Sequence, residues 1–136
     1  ADQYSGATME LALQTGQNLL NKFPNVKGIF CPNEATTFGL MRALQTGKAK
    51  SVKLVGFDYT DAVANGVRSG EIAGVVVQDP FRMGYDGVKT AYAVLQGEKV
   101  APLVKTDVIF VTAENMDDPD IRAITEPEIA RWLDEK

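Results

Sequence analysis

From Met9 onward, apolar and small residues recur at three- and four-residue steps: Met9, Ala12, Leu13, Gly16, Leu19, Leu20 and Phe23. That is one face of an amphipathic helix, and Pro24 must end it. The spacing then changes. "VKGIFC" (Val26 to Cys31) reads as a short buried strand, "EATTFGLMRALQTG" (Glu34 to Gly47) as a helix with Gly47 at the position that closes it, and "VKLVGF" (Val52 to Phe57) as a second strand. A helix from Asp61 to Ser69, closed by Gly70, leads to the strand "AGVVVQ" (Ala73 to Gln78). Next comes a helix from Phe81 to Leu95 whose stripe of Gly84, Gly87, Val88, Ala91 and Leu95 is expected to face inward. "KTDVIFVT" (Lys105 to Thr112) adds a fourth strand, and "TEPEIARWLDEK" opens with Thr125 and Glu128 in capping-box order, which predicts a terminal helix. Such alternation predicts an α/β fold, a parallel Rossmann-like sheet wrapped by helices through right-handed crossovers.

Composition adds bounds. With 136 residues, 45% hydrophobic and 24% charged, the chain suits one globular domain with its own core. A net charge of −4 offers no basic face to a nucleic acid or an anionic membrane, so small neutral ligands are the better expectation and no nucleic-acid partner is expected. The single cysteine and the absence of histidine give neither an internal disulfide nor a zinc cluster, and no metal or cofactor is expected. The opening "ADQYSGAT" reads as the approach to a helix, so a fragment or a processed form is expected.

Ligands of open α/β sheets bind beyond the carboxyl ends of the strands. Here the first strand runs out into Cys31-Pro32-Asn33-Glu34, the second into Phe57-Asp58-Tyr59-Thr60 and the third into Gln78-Asp79-Pro80. Val75, Val76 and Val77 read as buried strand, and Pro80 then lacks the donor needed to extend the ladder. One rim therefore receives Asn33, Asp58 and Gln78. Amides both donate and accept hydrogen bonds and a carboxylate accepts, the mixture that vicinal hydroxyls require, so a sugar or polyol is the expected ligand with Asp58 as its strongest anchor. Asn33 and Asp58 can instead simply cap the helices that follow them, whereas Gln78 is a poor cap and can be satisfied by a backbone carbonyl.

"GIFCPNEATTFGLMRAL", "VKLVGFDYTDAVANGVRSGEIAGVVVQDPFRMGYDGVKTAYAVLQGEKV" and "VIFVTAENM" resemble the C-terminal half of bacterial periplasmic sugar-binding proteins of the ribose-binding type. The likeness runs from about Gln17 to Met116 and rests on the N-E, VGFD and Q-x-P-x-x-x-G motifs in this order and spacing. It implies an incomplete lobe of a type I periplasmic binding protein with a helix belonging to the second lobe. It also implies that Asn33, Asp58 and Gln78 hydrogen-bond sugar hydroxyls, and that the intact protein serves an ABC-transporter permease. The location implied is the periplasm, or the outer surface by a lipid anchor in a Gram-positive host. Residues 1–78 then belong to the C-terminal lobe, 79–104 to a hinge crossing and a helix of the N-terminal lobe, and 105–136 to a return strand and terminal helix.

On that division the 81–95 helix has lost the sheet it was made to cover, so the chain alone is expected to fold that helix back or to form a homodimer, and to bind sugars weakly. Where relatives carry an aromatic that stacks on the sugar, this chain has Ala7, with Tyr4 the nearest substitute. The arginines that usually reach the ligand from the other lobe are absent, so the resemblance specifies a class of ligand and no individual sugar.

Rival readings fit less well. Cys31 has no histidine to deprotonate it and reads as a small buried hydrophobe, Glu34 and Asp58 form no acid–base pair, and no G-x-S-x-G, P-loop or G-x-G-x-x-G occurs, so no catalytic residue is expected. A receiver domain would need an acidic pair and a later lysine that are not recognisable. The effector domain of a lac-repressor-like regulator shares the fold and the GFD motif, but "VANGVRSGEIAGVVVQDPFRMGY" resembles the transport proteins. "ENMDDPD" lacks the spacing of a calcium loop and reads as a solvated turn, and Trp132 with the final helix is expected to pack on the exterior.

Overall fold

A computed structural model describes residues 2–47 and 51–133. The elements are α1 (Met9–Lys22), β1 (Gly28–Phe30), α2 (Glu34–Thr46), β2 (Lys53–Phe57), α3 (Asp61–Arg68), β3 (Gly74–Gln78), α4 (Pro80–Leu95), β4 (Val108–Val111) and α5 (Pro119–Thr125), followed by a 3₁₀ turn, Ile129–Arg131. The sheet has the order β1-β2-β3-β4. Its first three strands are parallel, as the β, α alternation predicts, while β4 runs antiparallel to β3. The reason lies in the connection: Gln78, the last residue of β3, pairs with Val108, the first of β4, so the chain re-enters the sheet at the rim by which it left.

Small residues set the helix layer. Ala12, Gly16 and Leu20 bury one side of α1, and Gly39 and Ala43 do the same on α2. A Cβ on Gly16 would stand 2.8 Å from Leu40 Cδ1, and one on Gly39 would stand 2.5 Å from Ala12 Cβ and 2.8 Å from both the Leu13 nitrogen and the Met9 oxygen. The two helices therefore touch backbone to backbone.

Strand alternation divides the sheet into two unlike faces. Leu54, Val75, Val77 and Val111 point to one face with Cys31 and are buried among Val63 and Val67 of α3, Leu40 and Met41 of α2, and Ile72. Ile121 and Ile124 of α5 pack against the same cluster. The opposite face carries Phe30, Val55, Phe57, Val76, Val108 and Phe110, and none of these six is fully buried. Phe110 lies across Gly74, whose missing side chain leaves room for the ring.

Helix α4 begins one residue after β3 ends. Asp79 supplies its cap, with the carboxylate accepting from the Arg82 N–H at 2.8 Å, and Arg82 pairs with Asp86 one turn on. No residue of α4 is buried, and the stripe expected to face inward is open: Val88 is 74% exposed, Leu95 83%, and nothing stands within 4 Å of a Cβ built on Gly84 or Gly87.

Three sequence expectations need correction. Gly47 ends α2 in an extended conformation (φ −87, ψ 174), so it does not close the helix as a left-handed glycine. Thr125 ends a helix rather than opening one: its hydroxyl donates to the Ile121 carbonyl, and α5 starts at Pro119, which is preset for a first helical position. The capping-box pattern yields only the 3₁₀ turn, and residues 134–136 of the expected terminal helix lie outside the described residues. "ENMDDPD" is in turn the lead into α5, with Met116 buried and Asn115 accepting from the Thr112 N–H and donating to the Phe110 carbonyl. Trp132, expected on the exterior, is 64% exposed and leans on Phe81 with ring centroids 5.7 Å apart.

Gly39→Ala tests the helix contact. The new methyl meets backbone atoms that cannot rotate away, so it should cost about 1–3 kcal/mol in urea denaturation with secondary structure retained.

Candidate ligand-binding rim

Asn33, Asp58 and Gln78 stand at the carboxyl ends of three adjacent strands, β1, β2 and β3. Neighbouring strands are about 4.8 Å apart, so three ends in a row span roughly 10 Å, the scale of one monosaccharide.

Each residue comes to the rim by a different route. Asn33 is exposed and caps α2, its Oδ1 accepting from the Thr36 N–H at 2.9 Å and the Thr36 hydroxyl at 3.0 Å. The capping alternative is thus realised: Oδ1 is engaged by the helix start, while the side-chain NH2 donates to nothing among the described residues. Asn33 is a donor here.

Asp58 follows the last residue of β2 and extends the ladder by one bond, its N–H donating to the Val76 carbonyl at 2.9 Å. Its φ is +67, the one positive value at a non-glycine among the described residues. Aspartate tolerates this left-handed region better than most residues, yet still at a cost. Thr60 rather than Asp58 holds the cap position of α3, so capping does not account for Asp58, and its half-buried carboxylate accepts no hydrogen bond among the described residues. Gln78, also half-buried, likewise has a side chain with no hydrogen-bond partner among them.

Sequence reasoning missed Thr37. Fully buried in the first turns of α2, its hydroxyl donates to the Asn33 carbonyl at 2.8 Å and accepts the Phe57 N–H at 3.1 Å. A Cβ on Gly56 would collide with its methyl group. Thr37 therefore fastens the start of α2 to the end of β2, fixing Asn33 against Asp58. The available signal was the threonine pair after Asn33-Glu34-Ala35 together with a glycine one residue before Phe57. Next to the rim, the Thr60 hydroxyl is buried with no partner among the described residues.

A cleft of about 880 Å³ is displaced from this row. It runs along the free edge of β1 between the N-terminal segment and the end of α1, and Tyr4, Phe23, Phe30, Cys31, Asn33 and Thr36 line it, whereas Asp58 and Gln78 do not. Tyr4 is 89% exposed and lines the same cleft as Asn33. At the cleft floor, burial pushes the Cys31 thiol up to about 11, with a hydrogen bond from Thr36 opposing that shift. Among the described residues no group of three acidic, cysteine or histidine side chains could hold a metal ion.

Residues 1–99 match the periplasmic binding protein domain. The ribose import binding protein of Escherichia coli is 38% identical over 102 residues, covering 75% of this chain and 34% of its own length. The chain belongs to the periplasmic sugar-binding proteins of the ribose-binding type. The D-allose-binding periplasmic protein of E. coli is 33% identical over 108 residues, covering 74% of this chain and 35% of its own length. Among solved structures, a carbohydrate transporter solute-binding protein from Agrobacterium radiobacter in complex with D-arabinose superposes with a TM-score of 0.86 at 42% identity. The match covers 92% of this chain and 43% of that one. An ABC transporter solute-binding protein from Agrobacterium vitis with bound D-fucose gives 0.85 at 35% identity, over 91% and 43% of the two chains. These relatives are transport proteins rather than regulators or enzymes, and this chain spans about a third of the length of the curated relatives it matches. The α/β lobe expected from the resemblance is the fold observed.

Two measurements test the rim's physics. Asp58→Gly should leave stability unchanged or raise it by up to about 1 kcal/mol, and Asp58→Val should lower it by about 1–2 kcal/mol, because only the backbone preference at φ +67 separates them. For Cys31, the folded-state value lies above the unfolded one, so its contribution is complete below pH 9.0 and is lost as pH rises towards about 11. Urea denaturation at successive pH values should show the chain losing roughly 2–3 kcal/mol more than Cys31→Ala across that window.

Proposed function

We propose that the chain supplies one wall of a sugar site in a solute-binding protein that feeds an ABC transporter permease, with Asn33 donating, Asp58 accepting and Gln78 doing both. The observation that carries this reading is Asp58: a carboxylate held at a backbone cost, at a strand end, with no hydrogen-bond partner of its own among the described residues. Strain kept where nothing structural uses it points to a ligand. A carboxylate between two amides suits a neutral polyhydroxyl ligand, since each hydroxyl both donates and accepts. Relatives named for ribose and D-allose, and neighbours holding D-arabinose and D-fucose, place pentoses and hexoses first in any screen.

The rest of the proposal follows from this. Residues 1–78 belong to the C-terminal lobe, 79–104 to a crossing and a helix of the other lobe, and 105–136 to the return; the free-standing α4 and the Gln78–Val108 pair support that division. The protein is a binder and not an enzyme, with Cys31 protonated and buried in support. It works in the periplasm, or lipid-anchored outside a Gram-positive cell. Alone, with one wall of its cleft, the chain binds sugars weakly and self-associates through α4.

The test is a chimera in which this chain replaces the matching segment of the E. coli ribose import binding protein. Calorimetry should find sugar binding that Asp58→Asn weakens by about 1.5–3 kcal/mol, since a charged acceptor is lost with the backbone preference kept. Asn33→Asp should weaken binding while leaving the melting temperature unchanged, because aspartate caps as well as asparagine but donates nothing. Unaltered affinity in both variants rules the site out.

A further inference from the structure

We infer that Thr37 is a positioning residue of the sugar site: its hydroxyl takes the place of a strand residue, ends the pairing of β1 and so decides where Asn33 stands. This rests on the rim reading proposed above and adds to it a residue buried beneath the rim.

The β1–β2 ladder advances by two residues at each step. The Lys53 N–H donates to the Lys27 carbonyl at 2.8 Å, and the Val55 carbonyl accepts the Cys31 N–H at 2.9 Å. One step further, the same register sends the Phe57 N–H to the Cys31 carbonyl and the Asn33 N–H to the Phe57 carbonyl. Neither bond is made. The Phe57 N–H goes to the Thr37 hydroxyl at 3.1 Å, and the Cys31 carbonyl and the Asn33 N–H have no backbone partner among the described residues.

The chemistry of threonine permits this. A threonine in a helix commonly returns its hydroxyl proton to the carbonyl one turn back, and Thr37 does so to Asn33 at 2.8 Å. The oxygen keeps its lone pairs, and the Phe57 N–H takes one. A Cβ on Gly56 would collide with Thr37 Cγ2 and stand 3.0 Å from Oγ1, so the methyl group packs on the glycine and holds a side chain already stiff at χ1 in one rotamer. Thr37 and Gly56 are both buried by residues of this chain, so the contact does not depend on what else surrounds the lobe.

Replacing one acceptor by another adds nothing to the sheet, because the Cys31 carbonyl would serve Phe57 equally well. The gain is at the rim. A continued ladder would tie the Asn33 backbone to β2, whereas with Thr37 in place the chain leaves the sheet after Cys31 and Asn33 is set by α2, whose start it caps. The same bond grips Phe57, the residue before Asp58. Binding groups work when held to within about 0.5 Å of the productive geometry, and one buried hydroxyl does this for two of them.

The test uses the chimera with the E. coli ribose import binding protein and whichever of ribose, D-allose, D-arabinose and D-fucose it binds. Thr37→Val keeps the shape and removes the hydroxyl, so calorimetry should find the dissociation constant raised about tenfold or more, and Thr37→Ser should bring it back to within about threefold of the parent. Val67→Ala, a change in the buried side of α3 that also lowers stability, should leave the dissociation constant unmoved. Where valine prevents folding, Thr37→Ala leaves room for a water at the Phe57 N–H and carries the same expectation. Affinity unmoved by either substitution while Asp58→Asn and Asn33→Asp weaken it overturns this inference alone. An equal loss in Val67→Ala, or a loss that serine does not restore, does the same. A chimera that binds none of the four sugars, or is indifferent to both Asp58→Asn and Asn33→Asp, overturns the rim reading and this inference with it.

Discussion

Gln78 pairs with Val108 at the mouth of the sheet, and that pairing decides what the chain between them can do. A segment that leaves a sheet and returns to it at the same rim cannot contribute a crossover helix, because a crossover must return at the opposite end. The strand that resumes therefore runs antiparallel, and α4 stands beyond the rim instead of over a face. The same pairing keeps the rim clear. A conventional β-α turn after Gln78 would fold back across the strand ends, whereas Asp79-Pro80 carries the chain outward and leaves the Gln78 side chain without a hydrogen-bond partner among the described residues.

The rim is also rigid where it must be. Thr37 takes the Phe57 N–H and gives its own proton to the Asn33 carbonyl, so one hydroxyl joins the end of a strand to the start of a helix. The close approach depends on Gly56 having no side chain. Asn33 and Asp58 are carried on the two elements so joined, and neither can shift without breaking a buried hydrogen bond, which costs more than the bond gains because its partners are left dry. Orientation is thereby settled before a ligand arrives, and that lowers the entropy a ligand must supply.

Much of this was legible in the sequence, and the lapses have physical causes. Helices α1, α2 and α3 and the strand "VVVQ" announce themselves because period and terminators agree, as with Pro24 after α1 and Gly70 after α3. The direction of β4 was hidden, since a strand's own residues carry no record of which way its neighbour runs. Helix α5 was hidden because Asp118-Pro119 is an equally good turn, and the choice falls to Ile121 and Ile124 packing on the core. The three strand-end residues could be placed at one rim from element order alone, but Asn33's spent acceptor and Asp58's left-handed backbone depend on local geometry that no pattern displays. Thr37 was invisible for a related reason: its role needs a hydrogen bond to Phe57, twenty residues along the chain, and the room left by a glycine, Gly56, that reads as ordinary strand.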